Sequence, residues 1–184
     1  MALKNIYKAT VGVIGTGNFG TALANLLSEK CNKVLLYARS KEKAMQLIKT
    51  RKNGYHKIAD NVEIITDLSL LTEKCNLIFP IVPSINFREV IKNLSPYLKP
   101  YHILIHGTKG FDFDKTKKSH NPFKESDSQI FTMSEVIRQE SSVVRIGCIA
   151  GPNLSKEIAA KMPAASVIAS EFDEVIELGR KCLK

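Results

Sequence analysis

An α/β fold, with a mostly parallel twisted sheet and helices on both faces, is what this 184-residue sequence predicts. Short β-rich runs alternate with longer amphipathic ones, the pattern of parallel strands joined by crossover helices. The first run, Val11-Gly12-Val13-Ile14, leads into a glycine turn and then into Thr21-Ala-Leu-Ala-Asn-Leu-Leu, whose apolar residues share one helical face. The length is enough for one sizeable core, or for one domain and the start of another.

The elements follow in order. After the first strand and helix, Lys33 to Ala38 reads as a second strand, Val62 to Ile65 as a third and Leu77 to Val82 as a fourth. His102 to His106 reads as a fifth, Val143 to Ile149 as a sixth and Ala165 to Ala169 as a seventh. Helical spacing runs from Ser40 to about Thr50, Ser84 to about Leu98, Met133 to about Glu140, Ser155 to Lys161, and from Asp173 onward. Ser40, Asp67 and Ser84 are N-cap candidates, because a short oxygen-bearing side chain can accept from the free amides of a first turn. Phe111 to Ile130 is polar, mixed in charge, contains Pro122 and has no period of either kind, so it reads as a mobile surface loop.

The turn itself is Gly15-Thr16-Gly17-Asn18-Phe19-Gly20, a G-x-G-x-x-G in strand-turn-helix context. Gly15 permits the tight turn, Gly17 lets a pyrophosphate approach the backbone, and Gly20 lets the helix pack closely on the strand. Helix N-terminal amides then face an anion. The expectation is a Rossmann-like dinucleotide-binding domain over residues 1–184.

The net charge of +9 raises nucleic acid as a partner. The cations are dispersed, as at Lys41, Lys43, Lys49, Arg51 and Lys52, with one denser patch at Lys115, Lys117 and Lys118. No aromatic residues are interleaved for base stacking, so the excess reads as solubility and attraction for phosphorylated ligands, with no nucleic acid. Cys31, Cys75, Cys148 and Cys182 are far apart, which signals neither a metal site nor a disulfide framework. The N-terminus lacks a signal-peptide core and no apolar run approaches the ~18 residues of a membrane span, so a soluble, cytoplasmic protein is expected.

Further positions near the strand ends are candidates for chemistry. Arg39 ends the second strand, where an acidic residue would bond a ribose 2′-hydroxyl and a cation would meet a 2′-phosphate. NADPH is therefore favoured over NADH, with stacking of Arg39 on adenine left open. Pro83 fixes the exit of the fourth strand and, with Phe87, is expected to wall the nicotinamide side. Lys109, between Gly107 and Gly110 at the end of the fifth strand, is placed to meet a phosphate or a carbonyl oxygen. His106 reads as structural, a histidine ending a buried strand. Gly151-Pro152-Asn153 opens another turn toward a helix, with Asn153 as a cap near any ligand and Glu157 closing that cap.

Taken in order, the glycine turn, Tyr37-Ala-Arg39, Val82-Pro83-Ser84, Thr108-Lys109-Gly110 and Gly151-Pro152-Asn153-Leu-Ser-Lys-Glu157 resemble the bacterial NAD(P)-dependent glycerol-3-phosphate dehydrogenase family. The resemblance runs from about Thr10 to Ala169 and covers only the family's N-terminal, cofactor-binding half. It implies that Asn18 and Phe19 contact the cofactor phosphates, that Arg39 lies at the adenosine end, and that Lys109 touches cofactor and substrate and is the catalytic residue in this half. It further implies that Gly151 and Asn153 hold the substrate, dihydroxyacetone phosphate or glycerol 3-phosphate, and that Ser155 lies near the cofactor. Asn153 stands where the family commonly has Ser or Thr, Ser155 where it has Ala, and the 111–130 loop is longer. The family's proton-transfer lysine lies in an all-helical C-terminal domain absent from this sequence, so the chain alone is expected to be inactive. A homodimer stays open for a full-length form. Two alternatives stand beside this one: a stand-alone dinucleotide-binding module, and a related β-hydroxyacid dehydrogenase.

Overall fold

The computed structural model describes residues 9–113, 130–152 and 155–183. Strand β1 (Thr10–Ile14) lies between β2 (Lys33–Tyr37) and a later strand, and helix α1 (Asn18–Ser28) connects β1 to β2. Helix α2 (Lys41–Thr50), a small hairpin of β3 (Lys52–Asn53) and β4 (His56–Lys57), and β5 (Val62–Ile65) follow. Then come α3 (Leu68–Lys74), β6 (Leu77–Pro80), α4 (Ser84–Leu94) with a 3-10 turn (Ser95–Tyr97), and β7 (Ile103–His106). A second hairpin, β8 (Phe111–Phe113) with β9 (Ile130–Thr132), precedes α5 (Met133–Glu140), β10 (Arg145–Ala150), α6 (Ser155–Ala159), β11 (Val167–Ser170) and α7 (Asp173–Leu183).

The main sheet has seven strands in the order β11-β10-β7-β6-β1-β2-β5. Every neighbouring pair is parallel except β10 with β11. The chain winds outward from β1 through β2 to β5, then returns to the other side of β1 at β6. The order therefore reverses between β1 and β6, the topological switch point where open α/β sheets bind ligands.

Successive strand residues feed two separate cores, as the period of two requires. Val11, Val13, Val34, Leu36, Leu77, Phe79, Ile103 and Ile105 pack with α1, α2 and α7 on one face. Ile14, Leu35, Ile78 and Leu104 pack with α3, α4 and α5 on the other. The strands are apolar on both sides because helices cover both sides.

Two expected caps form: Ser40 Oγ accepts from the Lys43 amide at 3.2 Å, and Asp67 Oδ1 from Ser69 at 2.8 Å. The helix that Asp67 opens, α3, is too short for its spacing to stand out in the sequence. Ser84 is not a cap. Pro83 occupies that position in extended conformation and Ser84 is the first helical residue.

The expected loop at 111–130 needs correcting at its flanks, where Phe111 pairs with Thr132 and Phe113 with Ile130 in an antiparallel ladder. Three-residue strands are too short to show alternation, and residues 114–129 lie outside the described residues. Arg88 of α4 ties this hairpin to α5, with ion pairs to Asp112 of β8 at 2.6 Å and to Glu140 of α5 and its guanidinium 5.5 Å from the Phe131 ring centroid. Among the described residues no helix is long and apolar enough to cross a membrane.

Candidate functional site

Because β1, β2, β6, β7 and β10 are parallel, their C-terminal ends share one edge of the sheet, and nearly all the sequence-nominated residues gather there. Gly15 leaves β1 with φ 122°, a region that side chains rarely adopt. A Cβ at Gly15 would overlap the Ile81 carbonyl, and one at Gly20 would overlap the Gly15 carbonyl. These two glycines are demanded by close backbone packing.

Gly17 differs. A Cβ there would meet nothing within 4 Å, so the chain's own packing does not require glycine at the helix start. That open space over the first turn of an 11-residue helix fits a dinucleotide pyrophosphate, since unpaired amides and the positive helix end both favour an anion. Thr16 is half-buried while Gly17 and Asn18 are exposed. The Phe19 ring would lie 3.1 Å from a Cβ at Gly107, which shows how closely α1 approaches the end of β7.

The neighbouring strand ends are locked together. Thr108 Oγ1 donates to the Val82 carbonyl at 2.7 Å, and the Ile81 amide donates to the Ile14 carbonyl at 2.8 Å. Lys109 is exposed, and its Nζ donates to the Gly151 carbonyl at 3.2 Å, joining the turns after β7 and β10. Gly151 has φ 130° and is half-buried. Asn153 lies outside the described residues. Arg39 is exposed at the tip of β2, beside the Ser40 cap, whose hydroxyl also donates to Glu42 at 2.5 Å.

Phe87 takes a different place from the one expected. It is fully buried in the core beneath α4, in edge contact with His106 at 5.8 Å between ring centroids, and so shows no face to a ligand. At helical spacing its position falls on the core side, while the exposed Pro83 remains at the crevice. His106 also points into that core, with Nε2 2.9 Å from Ser134 Oγ. Burial pushes its pKa down to about 4, with the Thr108 backbone acting the other way.

The β3–β4 hairpin is too short to show a strand period in the sequence, although Asn53-Gly54 is a turn signal. Gly54 has φ 59° at the first position of the two-residue loop. Asn53 donates from one amide to the Thr16 carbonyl at 2.9 Å and the Thr21 hydroxyl at 2.8 Å. Tyr55, on the same loop, has its hydroxyl 2.8 Å from Ser155 Oγ in α6. A cavity of about 780 Å³ lies on the far flank of this hairpin, against α1, α6 and Leu183, and is lined by neither Gly17, Arg39, Lys109 nor Gly151.

A sheet that reverses order beside a glycine turn, with a helix opening onto that reversal, defines a Rossmann-like domain, a fold that dehydrogenases share with other proteins. Residues 10–176 match the family model described as the NAD-dependent glycerol-3-phosphate dehydrogenase N-terminus. The glycerol-3-phosphate dehydrogenase [NAD(P)+] of Saccharophagus degradans is 37% identical over 175 residues, which are 92% of this chain and 45% of that protein. That of Acinetobacter baylyi is 36% identical over 169 residues, 90% and 43% of the two chains. The crystal structure of glycerol-3-phosphate dehydrogenase from Coxiella burnetii superposes with a TM-score of 0.82 at 26% identity, covering 97% of this chain and 51% of that one. The chain belongs to the NAD(P)-dependent glycerol-3-phosphate dehydrogenase family. It spans about half the length of the curated relatives it matches.

Proposed function

We propose that this chain is the cofactor-holding part of an enzyme that reduces dihydroxyacetone phosphate to sn-glycerol 3-phosphate, in the cytoplasm, for phospholipid synthesis. The observation that carries this reading is the Lys109–Gly151 contact on the same sheet edge as the glycine turn. A cation and two glycine turns converge there, as a phosphorylated ketone beside a dinucleotide requires. When bound, the reduced nicotinamide supplies the hydride.

The chain's residues orient and polarise. Amides at Gly17, Asn18 and Phe19 seat the pyrophosphate, and Arg39 meets the adenosine end, with NADPH preferred to NADH. Lys109 steadies negative charge on the substrate oxygen or phosphate, while Gly151 and Asn153 hold the substrate from the β10 side. Ser155 faces the cofactor from α6, and Pro83 borders the nicotinamide side. The domain, residues 1–184, works with a second, helical domain that closes the cage around a small substrate and brings the proton-transfer lysine. The homodimer of a full-length form belongs to that same proposal.

The deciding experiment follows NADPH oxidation with dihydroxyacetone phosphate, on this chain and on any longer product of the same reading frame. Turnover by the longer form alone is the expected result. Turnover by this chain overturns the need for a second domain, and dinucleotide binding without turnover by either form favours a stand-alone binding module.

A further inference from the structure

We propose that Asn53, in the β3–β4 hairpin, is a positioning residue that aims the phosphate-binding turn. The inference rests on the reading of the glycine turn as a pyrophosphate seat. Asn53 is 7% exposed, and both hydrogen bonds from its Nδ2 cross to the start of α1. One reaches the Thr16 carbonyl at 2.9 Å, the other the hydroxyl of Thr21, which is fully buried.

The peptide linking Thr16 to Gly17 is planar and trans, so its carbonyl and its N–H point in opposite directions. Holding the Thr16 oxygen on Asn53 turns the Gly17 N–H to the opposite side of that peptide, away from the hairpin, at an exposed residue where an added Cβ would meet no atom within 4 Å. Thr21 completes the arrangement, since its own amide donates to the Gly17 carbonyl at 2.9 Å. Both peptides that flank Gly17 are thereby fixed before any ligand arrives, and a donor aimed in advance loses less freedom on binding.

Asn53 is itself held from behind. Asn25 of α1 donates to the Lys57 carbonyl at 2.7 Å and accepts from the Ala59 amide at 3.0 Å. Ile58, immediately after the hairpin, is fully buried. Arg51, at φ 50° before the hairpin, donates to the Val62 carbonyl at 3.0 Å and to the Ala59 carbonyl. The hairpin is thus a rigid bracket bolted to α1, and its inner tip carries the amide that reaches the turn.

The test titrates NADH and ADP-ribose onto the full 184-residue chain carrying Asn53→Asp or Asn53→Ala, with hydrogen exchange at the Gly17 and Asn18 amides as a second readout. Asp keeps the shape and loses the N–H donors. Dissociation constants for both ligands are expected to rise about tenfold and by the same factor, because both carry the pyrophosphate, and exchange at Gly17 is expected to quicken. Thr21→Val leaves Asn53 one anchor of two; an expected rise of about threefold keeps the test decisive if the Asn53 variants do not fold.

Unchanged affinity in a folded Asn53 variant overturns the proposal. So does an equal loss in Val136→Ala, which loosens the core on the opposite face of the sheet without touching the hairpin or the turn and would make the Asn53 effect one of general stability. If the unaltered chain binds neither ligand, the pyrophosphate reading falls, and this inference falls with it.

Discussion

The Lys109 ammonium donates to the Gly151 carbonyl across 3.2 Å, so the turns after β7 and β10 are tied by a cation that a substrate could compete for. In a form of the protein that turns over, Lys109→Met is expected to lower kcat/KM by about 10²–10³, the usual cost of removing one charge-stabilising donor. Lys109→Arg should recover part of that loss, since it restores charge but with a different shape. Steady-state kinetics check both, and full activity in the methionine variant removes Lys109 from the site.

The glycines of the turn should separate by measurement. Gly20→Ala drives a methyl into the Gly15 carbonyl and is expected to destabilise the chain by about 3 kcal/mol in urea denaturation. Gly17→Ala enters open space at ordinary backbone angles, φ −74° and ψ 175°. Its lower flexibility when unfolded offsets the weaker N-cap, so stability should move by less than about 1 kcal/mol. On the proposed reading of the turn, dinucleotide affinity in Gly17→Ala should nevertheless fall about tenfold, because the added methyl would enter the space assigned to the pyrophosphate.

For Arg39, the informative quantity is a ratio. Replacing it by Asp is expected to shift the NADPH-to-NADH affinity ratio by about tenfold or more toward NADH, because a charged hydrogen bond to the 2′-phosphate becomes a repulsion. If the guanidinium only stacks on adenine, both affinities fall together and the ratio holds.

His106 makes stability depend on pH. Its folded pKa, about 4, lies below the ordinary 6.5 because the buried imidazole resists charging. The unfolded chain therefore binds the proton more readily, so neutral His106 stabilises the fold above pH 6.5, and that stabilisation drains away as pH falls toward 4. The contribution is about 3 kcal/mol at most. His106→Asn should flatten the denaturation midpoint over that window, measured at constant ionic strength.

How much of this was legible beforehand depended on the length of the signal. Apolar runs placed all seven strands of the main sheet, and the G-x-G-x-x-G turn lies between the first strand and the first helix as its spacing requires. The two-stranded hairpins escaped because two or three residues cannot display a period, even where Asn53-Gly54 advertised a turn. Phe87 misled for a different reason: its spacing on α4 is that of a core residue, and proximity in sequence to Pro83 was mistaken for a shared surface. Asn53 was invisible because its partners, Thr16 and Thr21, are 37 and 32 residues away. Nothing in a local window announces a bond of that span.

The sheet is also a partition. Val11 and Val13 look toward α1 while Ile14 looks toward α4, and the same division repeats strand by strand. Substitutions buried in separate interiors and sharing no partner are expected to add, so damage in one adds to damage in the other without amplifying it. The glycine turn and its Asn53 bracket draw on the α1 interior, whereas Arg88, Phe87 and His106 draw on the α4 and α5 interior. Substitutions deep in the second interior are therefore expected to leave the turn after β1 and its Asn53 bonds in place.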